Sequence, residues 1–232
     1  MAFDSKTFKT RAVTATVFVI IMLAGLLWNV WSFIILFAII HFGCWYEFIR
    51  LIKKINSSTW RYFLPLGLLY ITLPILLLIM CGFPYVDLII FHQGYANAWN
   101  YSPVLPCGII FSIWVNDTMA YIVGSLIGKT PLSKISPKKT WEGTMGGTIL
   151  CILVISLIGN ASGYYTFKDW VIIAACCAVF GTLGDLLESK LKRMANVKDS
   201  GAFMPGHGGF LDRFDSLLTA SVAVGFYYFF FM

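Results

Sequence analysis

"IIFSIWVNDTMAYIVGSLIG" fills residues 109–128 and carries a single charged side chain, Asp117, in twenty positions. A helix needs about 20 mostly apolar residues to cross the hydrocarbon core of a bilayer. Composition decides that this stretch is such a span rather than the core of a soluble protein. The 232-residue chain is 59% hydrophobic and 12% charged, against about 25% charged in soluble domains. A soluble protein this apolar would have too little polar surface to cover itself. The expected fold class is therefore an all-α, polytopic integral membrane protein.

About seven transmembrane helices are predicted, at 12–27, 31–49, 62–81, 103–125, 142–160, 169–188 and 214–231. The breaks are chemically sensible: "WNVW" (28–31) reads as a tight hairpin with interfacial Trp, and "RLIKKINSSTWR" (50–61) is polar and basic. "CGFPYVDLIIFHQGYANAWNYSP" (81–103) mixes turn formers with aromatics. The opening "MAFDSKTFKTRAVTATVFVIIMLAG" has the basic head and apolar run of a signal peptide but lacks a small-x-small cleavage site, so it reads as a retained first span. The six Cys sit mostly in apolar runs without CxxC or zinc-site spacing and read as small buried hydrophobes.

Orientation follows from Lys and Arg. With the N-terminus inside, every one of the 17 except Lys168 falls at an inner loop or inner span end. The N-terminus is thus expected in the cytoplasm. The net charge of +6, gathered on one face, favours anionic lipid headgroups; membrane lipids are expected partners and nucleic acid is not.

Only 11 residues are acidic. Asp4, Glu47, Asp87, Glu142 and Asp169 lie at termini, loops or span ends, where solvation accounts for them. Asp117 lies deep in its span, and an ionisable residue there points to function. Asp185 and Glu188 end span six on its inner side, three apart and so on one helix face. Asp212 and Asp215 repeat that spacing where span seven begins. Carboxylates gathered at one depth repel unless something positive sits among them. Nearby bases offer part of that charge, and a hard divalent cation such as Mg²⁺ offers the rest.

Two inner segments complete the pattern. "GKTPLSKISPKKTWEGTMGG" (128–147) offers four Lys, hydroxyls and flexible Gly, without the GxxxxGK[ST] of a P-loop. "SKLKRMANVKDSGAFMPGHGGFLDRFDS" (189–216) reads as a loop whose "PGHGG" (205–209) suits a backbone nest for phosphate oxygens. Lys192, Arg193, Lys198 and Arg213 stand around it as counter-charges, with Asp199, Asp212 and Asp215 as possible metal ligands. Phosphates plus a metal, held where membrane meets cytosol, need this mixture.

"SKLKR" (189–193), "KD" (198–199), "PGHGG" (205–209) and "DRFD" (212–215) stand in one ordered array over 27 positions. The array resembles the signature of CDP-diacylglycerol synthases, or phosphatidate cytidylyltransferases. "GTLGDLLES" (181–189), "NDTMAYIVGSLIGK" (116–129) and "SPKKTWEG" (136–143) are similar to that family too, so the resemblance covers roughly 104–231. It divides the single fold into N-terminal membrane helices, 1–103, available for a lipid groove or dimer contacts, and a catalytic membrane domain, 104–232.

The resemblance implies transfer of CMP from CTP to phosphatidic acid at the cytoplasmic leaflet, in phospholipid biosynthesis. The products are CDP-diacylglycerol and pyrophosphate, Mg²⁺ is required, and a homodimer is implied. On that basis Asp185 and Asp212 are the leading Mg²⁺ ligands and Asp215, Glu188 and Asp117 second choices, with a second cation allowed. Lys192, Arg193, Lys198 and Arg213 should hold phosphates, and Lys138 and Lys139 the CTP phosphates or the leaving group. Gly206, His207, Gly208 and Gly209 should cradle pyrophosphate or lipid phosphate, with Ser189 and Asp199 in the same substrate-binding group. The alternatives are a CTP-dependent enzyme acting on a polyprenol or ether lipid and, less compatible with acids at the inner face, a secondary transporter.

Overall fold

The computed structural model describes residues 5–83, 101–204 and 208–232. Asp4, Asp87, Gly206 and His207 therefore lie outside the described residues. Seven helices follow one another: α1 (Ser5–Leu27), α2 (Val30–Ile55), α3 (Trp60–Cys81), α4 (Val104–Ile127), α5 (Trp141–Ala161), α6 (Phe167–Met194) and α7 (Leu211–Phe231). Helices α2 to α7 are each long and apolar enough to cross a membrane, and the apolar part of α1 is the shorter Ala12–Leu27. Among the described residues, β pairing is confined to isolated bridges. Large apolar side chains such as Ile39, Phe42, Leu69, Leu157 and Phe226 are exposed, as lipid-facing positions must be.

Local chemistry sets the helix ends. Asn29 and Ser32 form a capping box at the start of α2, and Thr166 and Asp169 form one at the start of α6. Helix α3 is irregular: a 3₁₀ turn, a short α turn and a π turn at Leu68–Thr72 precede its final α segment, Leu73–Cys81. Pro74 lacks an N–H and its ring crowds the carbonyl four residues earlier, and a widened turn relieves both. Trp45 on α2 donates to Thr72 Oγ1 at 2.9 Å, fastening that turn.

Close helix approach rests on small residues. Gly143 and Gly147 on α5 face Ala120 and Gly124 on α4; a Cβ at Gly147 would lie 2.7 Å from the Ala120 nitrogen and Cβ. This is small-xxx-small packing, in which backbones approach closely enough for dispersion to replace the absent hydrophobic drive. Gly147→Leu is accordingly expected to abolish the monodisperse species in detergent, read by size-exclusion chromatography. Truncating lipid-facing Ile149 to Ala should leave the peak in place.

Consecutive helices alternate in direction, and Ser102 N–H donates to the Gly82 carbonyl at 2.9 Å, tying the start of α4 to the end of α3. The C-terminal ends of α2, α4 and α6 therefore share one face with the N-terminal ends of α3, α5 and α7. Two expected boundaries move there. Span six, expected to end at 188, continues to Met194, and span seven begins at Leu211 rather than 214. Ser189–Arg193 thus stand on a helix, not in a loop. Leu, Lys and Arg favour helix, and Lys192 and Arg193 complement the negative end of its dipole. The helix then stops in a Schellman motif: Asn196 turns left-handed (φ 52°), and the Asn196 and Val197 N–H groups donate to the Arg193 and Lys192 carbonyls.

Candidate active site

Helices α6 and α7 meet closely at Gly184, where any side chain would strike Thr219 and the Asp215 backbone. This contact sets Asp185 and Glu188 opposite Asp215, with one carboxylate oxygen of each within 4.8 Å of the others. Glu188 has no exposed surface and Asp215 is 8% exposed. Two lysines offset part of the group's charge. Lys139, from the α4–α5 loop, pairs with Asp185. Lys192 lies one turn after Glu188, 2.5 Å from its Oε2 and 2.6 Å from Asp212 Oδ1. Ser189 donates to Asp185 Oδ1 at 3.2 Å, and Ser216 N–H to Asp215 Oδ1 at 2.6 Å. Glu188 Oε1 is buried and meets no hydrogen-bond donor.

Asp212 stands beside this group with both oxygens engaged. Oδ1 receives Lys192; Oδ2 accepts from Ser200 N–H (2.9 Å), Ser200 Oγ (2.9 Å) and Gly209 N–H (2.7 Å). Asp185, Glu188 and Asp215 thus form a three-carboxylate group, joined to Asp212 through Lys192.

Two adjoining cavities meet at Asp117 and Asp185. One, of about 500 Å³, is lined also by Lys192, Lys198, Asp199, Gly208, Asp212, Arg213 and Asp215. The other, of about 410 Å³, is lined by Lys138 and Lys139 with Asn116, Thr140, Thr144 and Thr182. Most of the expected residues are therefore brought together. Gly208 has φ 84°, and a Cβ there would lie 2.5 Å from Asp212 Oδ2, so only glycine suits the position. Arg193 is not drawn in: its guanidinium donates to the Val197 carbonyl at 3.3 Å, next to the helix end.

Two acids read as merely solvated prove to be structural ligands of the loops. Glu142 accepts from the Lys129 and Thr130 N–H groups and from Thr130 Oγ1 (2.8 Å), tying down the loop that presents Lys138 and Lys139. Glu47, on α2, is 3% exposed and accepts from Ser200 Oγ and from the Phe210 and Leu211 N–H groups. A buried-looking acid within an apolar run was the available signal for Glu47, but nothing local in sequence links it to residues 153 or more positions away.

The fold and site define a polytopic helical membrane protein with a carboxylate group flanked by lysines at one end of its helices. Residues 73–231 match the model of the Cytidylyltransferase family, and the chain belongs to that family. It is 45% identical over 122 residues to phosphatidate cytidylyltransferase 5, chloroplastic, of Arabidopsis thaliana, a stretch covering 52% of this chain and 30% of that protein. It is 48% identical over 109 residues to a phosphatidate cytidylyltransferase of Staphylococcus saprophyticus, covering 46% of this chain and 42% of the relative. The matched stretches thus span less than half the length of these relatives.

Proposed function

We propose that this protein transfers CMP from CTP to phosphatidic acid, forming CDP-diacylglycerol and pyrophosphate. The observation that carries the reading is the Asp185–Glu188–Asp215 group set between Lys139 and Lys192 in a chain of the Cytidylyltransferase family. The names of its relatives support the choice of lipid over a polyprenol or ether lipid.

The group fits a hard divalent cation. Three carboxylates converge, and the buried Glu188 Oε1 lacks any donor; such an oxygen is costly to bury unpaired and suits Mg²⁺ chemistry. Asp185, Glu188 and Asp215 would hold the ion, with Asp117 and Asp212 at its margin. When bound, Mg²⁺ supplies charge neutralisation and orientation to a triphosphate.

In the reaction, a phosphate oxygen of phosphatidic acid forms a bond to the α-phosphorus of CTP while the bond from that phosphorus to the pyrophosphate oxygen breaks. A phosphomonoester with a second pKa of about 6 is mostly dianionic at pH 7, so a strong general base is not required. The chain's task is to position two polyanions and offset their charge. Lys138 and Lys139 serve one cavity and Lys192, Lys198 and Arg213 the other, where Gly208 leaves backbone close to the ligand; Gly209 acts through its N–H on Asp212. Gly206 and His207 complete the phosphate cradle in this reading. The lysine and arginine bias supports a site facing the cytoplasm, and the resemblance supports a homodimer.

The test is direct. Purified protein in detergent, given CTP, phosphatidic acid and Mg²⁺, is expected to release pyrophosphate and form CDP-diacylglycerol, with both lost on adding EDTA. CTP turnover with a polyprenyl phosphate but not with phosphatidic acid would overturn the substrate; no CTP turnover in folded protein would overturn the reaction.

A further inference from the structure

The N-terminal end of α7 presents Asp212 and Asp215, yet the helix has no cap of its own. Its N-cap position is Phe210, which makes no side-chain capping bond. A helix start leaves four N–H groups without intrahelical partners. Here a distant helix supplies acceptors: Glu47 Oε1 accepts from Phe210 N–H and Oε2 from Leu211 N–H, both at 2.9 Å. Glu47 Oε2 also accepts the Ser200 hydroxyl at 2.6 Å, while Ser200 N–H donates to Asp212 Oδ2 at 2.9 Å. One carboxylate on α2 therefore holds both strands of the loop that surrounds the larger cavity.

The surroundings are shaped for this contact. A Cβ at Gly201 or Gly209 would run into the Glu47 carboxylate, and one at Gly43, a turn earlier on α2, into the Phe210 ring. Glu47 makes no ion pair among the described residues; its charge is offset by three donors and the positive end of α7. Glu47 also lies outside residues 73–231, the segment matching the family.

We infer that Glu47 is a positioning residue for the reaction: it caps α7 from α2 and thereby sets where Asp212 and Asp215 stand. This rests on the nucleotidyl-transfer reading above. The geometry predicts a specific loss. Glu47→Gln keeps the shape but turns an NH₂ toward one of the N–H donors, so one bond becomes a repulsion. In the folded variant kcat is expected to fall about 10–100-fold, the range seen when groups that orient metal ligands are removed, with KM for phosphatidic acid unchanged. Glu47→Asp, which keeps the charge one methylene shorter, should recover part of the loss. Ser200→Ala, which removes the hydroxyl contacts to Glu47 and Asp212 and leaves both helix-capping bonds, should lower kcat several-fold and covers the case in which Glu47→Gln fails to fold.

Amide hydrogen exchange is the readout independent of turnover. Exchange at Phe210 and Leu211 should quicken in Glu47→Gln while the middle of α7 keeps its protection. A lower melting temperature with wild-type kcat in the folded variants would make Glu47 purely structural and overturn the inference. Were the wild type inert toward CTP and phosphatidic acid, the functional reading would fail on that control alone. Unchanged exchange at Phe210 and Leu211 would overturn the cap itself.

Discussion

Asp185→Asn is expected to lower kcat for CDP-diacylglycerol formation by about 10²–10³-fold, the scale of losing one preorganised charge interaction at a reacting centre. Asp185 is where the two cavities meet, and it is the member of the carboxylate group that pairs with Lys139 and receives Ser189. Its side chain is 26% exposed, so the isosteric amide carries little folding penalty, and the melting temperature should stay near wild type. Asp212→Asn should behave differently. It faces four donor contacts with both oxygens, and an NH₂ in that position meets either Lys192 or the Ser200 and Gly209 N–H groups. Loss of thermal stability should accompany its loss of activity. Kinetics and melting curves on the two variants separate a ligand from a brace. Wild-type kcat in Asp185→Asn would remove the carboxylate group from the proposed chemistry.

That contrast between Asp185 and Asp212 also marks how far the sequence carries. Spans were legible because apolar runs of about twenty residues with few charges have few other uses, and six of the seven expected helices are long enough to cross. The gathering of Asp117, Asp185, Asp215, Lys192 and Lys139 was legible from helix periodicity and the sidedness of the charges. The distribution of roles was not. Asp212 and Asp215 have the same type, depth and spacing partner; what separates them is that Asp212 faces Ser200 and Gly209 while Asp215 faces α6, and that depends on α7 starting at Leu211. The end of α6 was misplaced for a related reason. A run of Lys, Arg and Ser reads as solvated loop in a membrane protein, although such residues are sound helix formers where the helix emerges from the bilayer. Glu47 was out of reach because two of its three donors are backbone N–H groups, which leave no trace in residue identity, and the third, Ser200, is 153 residues away.

Lys192→Met should damage both folding and turnover. Lys192 bridges Glu188, which has no exposed surface, to Asp212. Deleting one member of a buried ion pair leaves the other charged and uncompensated, at a cost of about 3–5 kcal/mol. Read as a melting shift for a chain of this size, that is roughly 6–20 °C. Activity should fall with it, since the same ammonium lines the larger cavity. Stability and catalysis can then be separated by removing the stranded charge. In Glu188→Met combined with Lys192→Met, an apolar pair of similar volume replaces the ions, a change that is often neutral for folding. Asp212 keeps Ser200 and Gly209 as donors. Most of the lost melting temperature should return in the double variant, and turnover should not, because one carboxylate and one cation are missing from the site. If turnover returned along with stability, Lys192 and Glu188 would be supports for the fold, and the catalytic cations would have to be sought at Lys139, Lys198 and Arg213 alone.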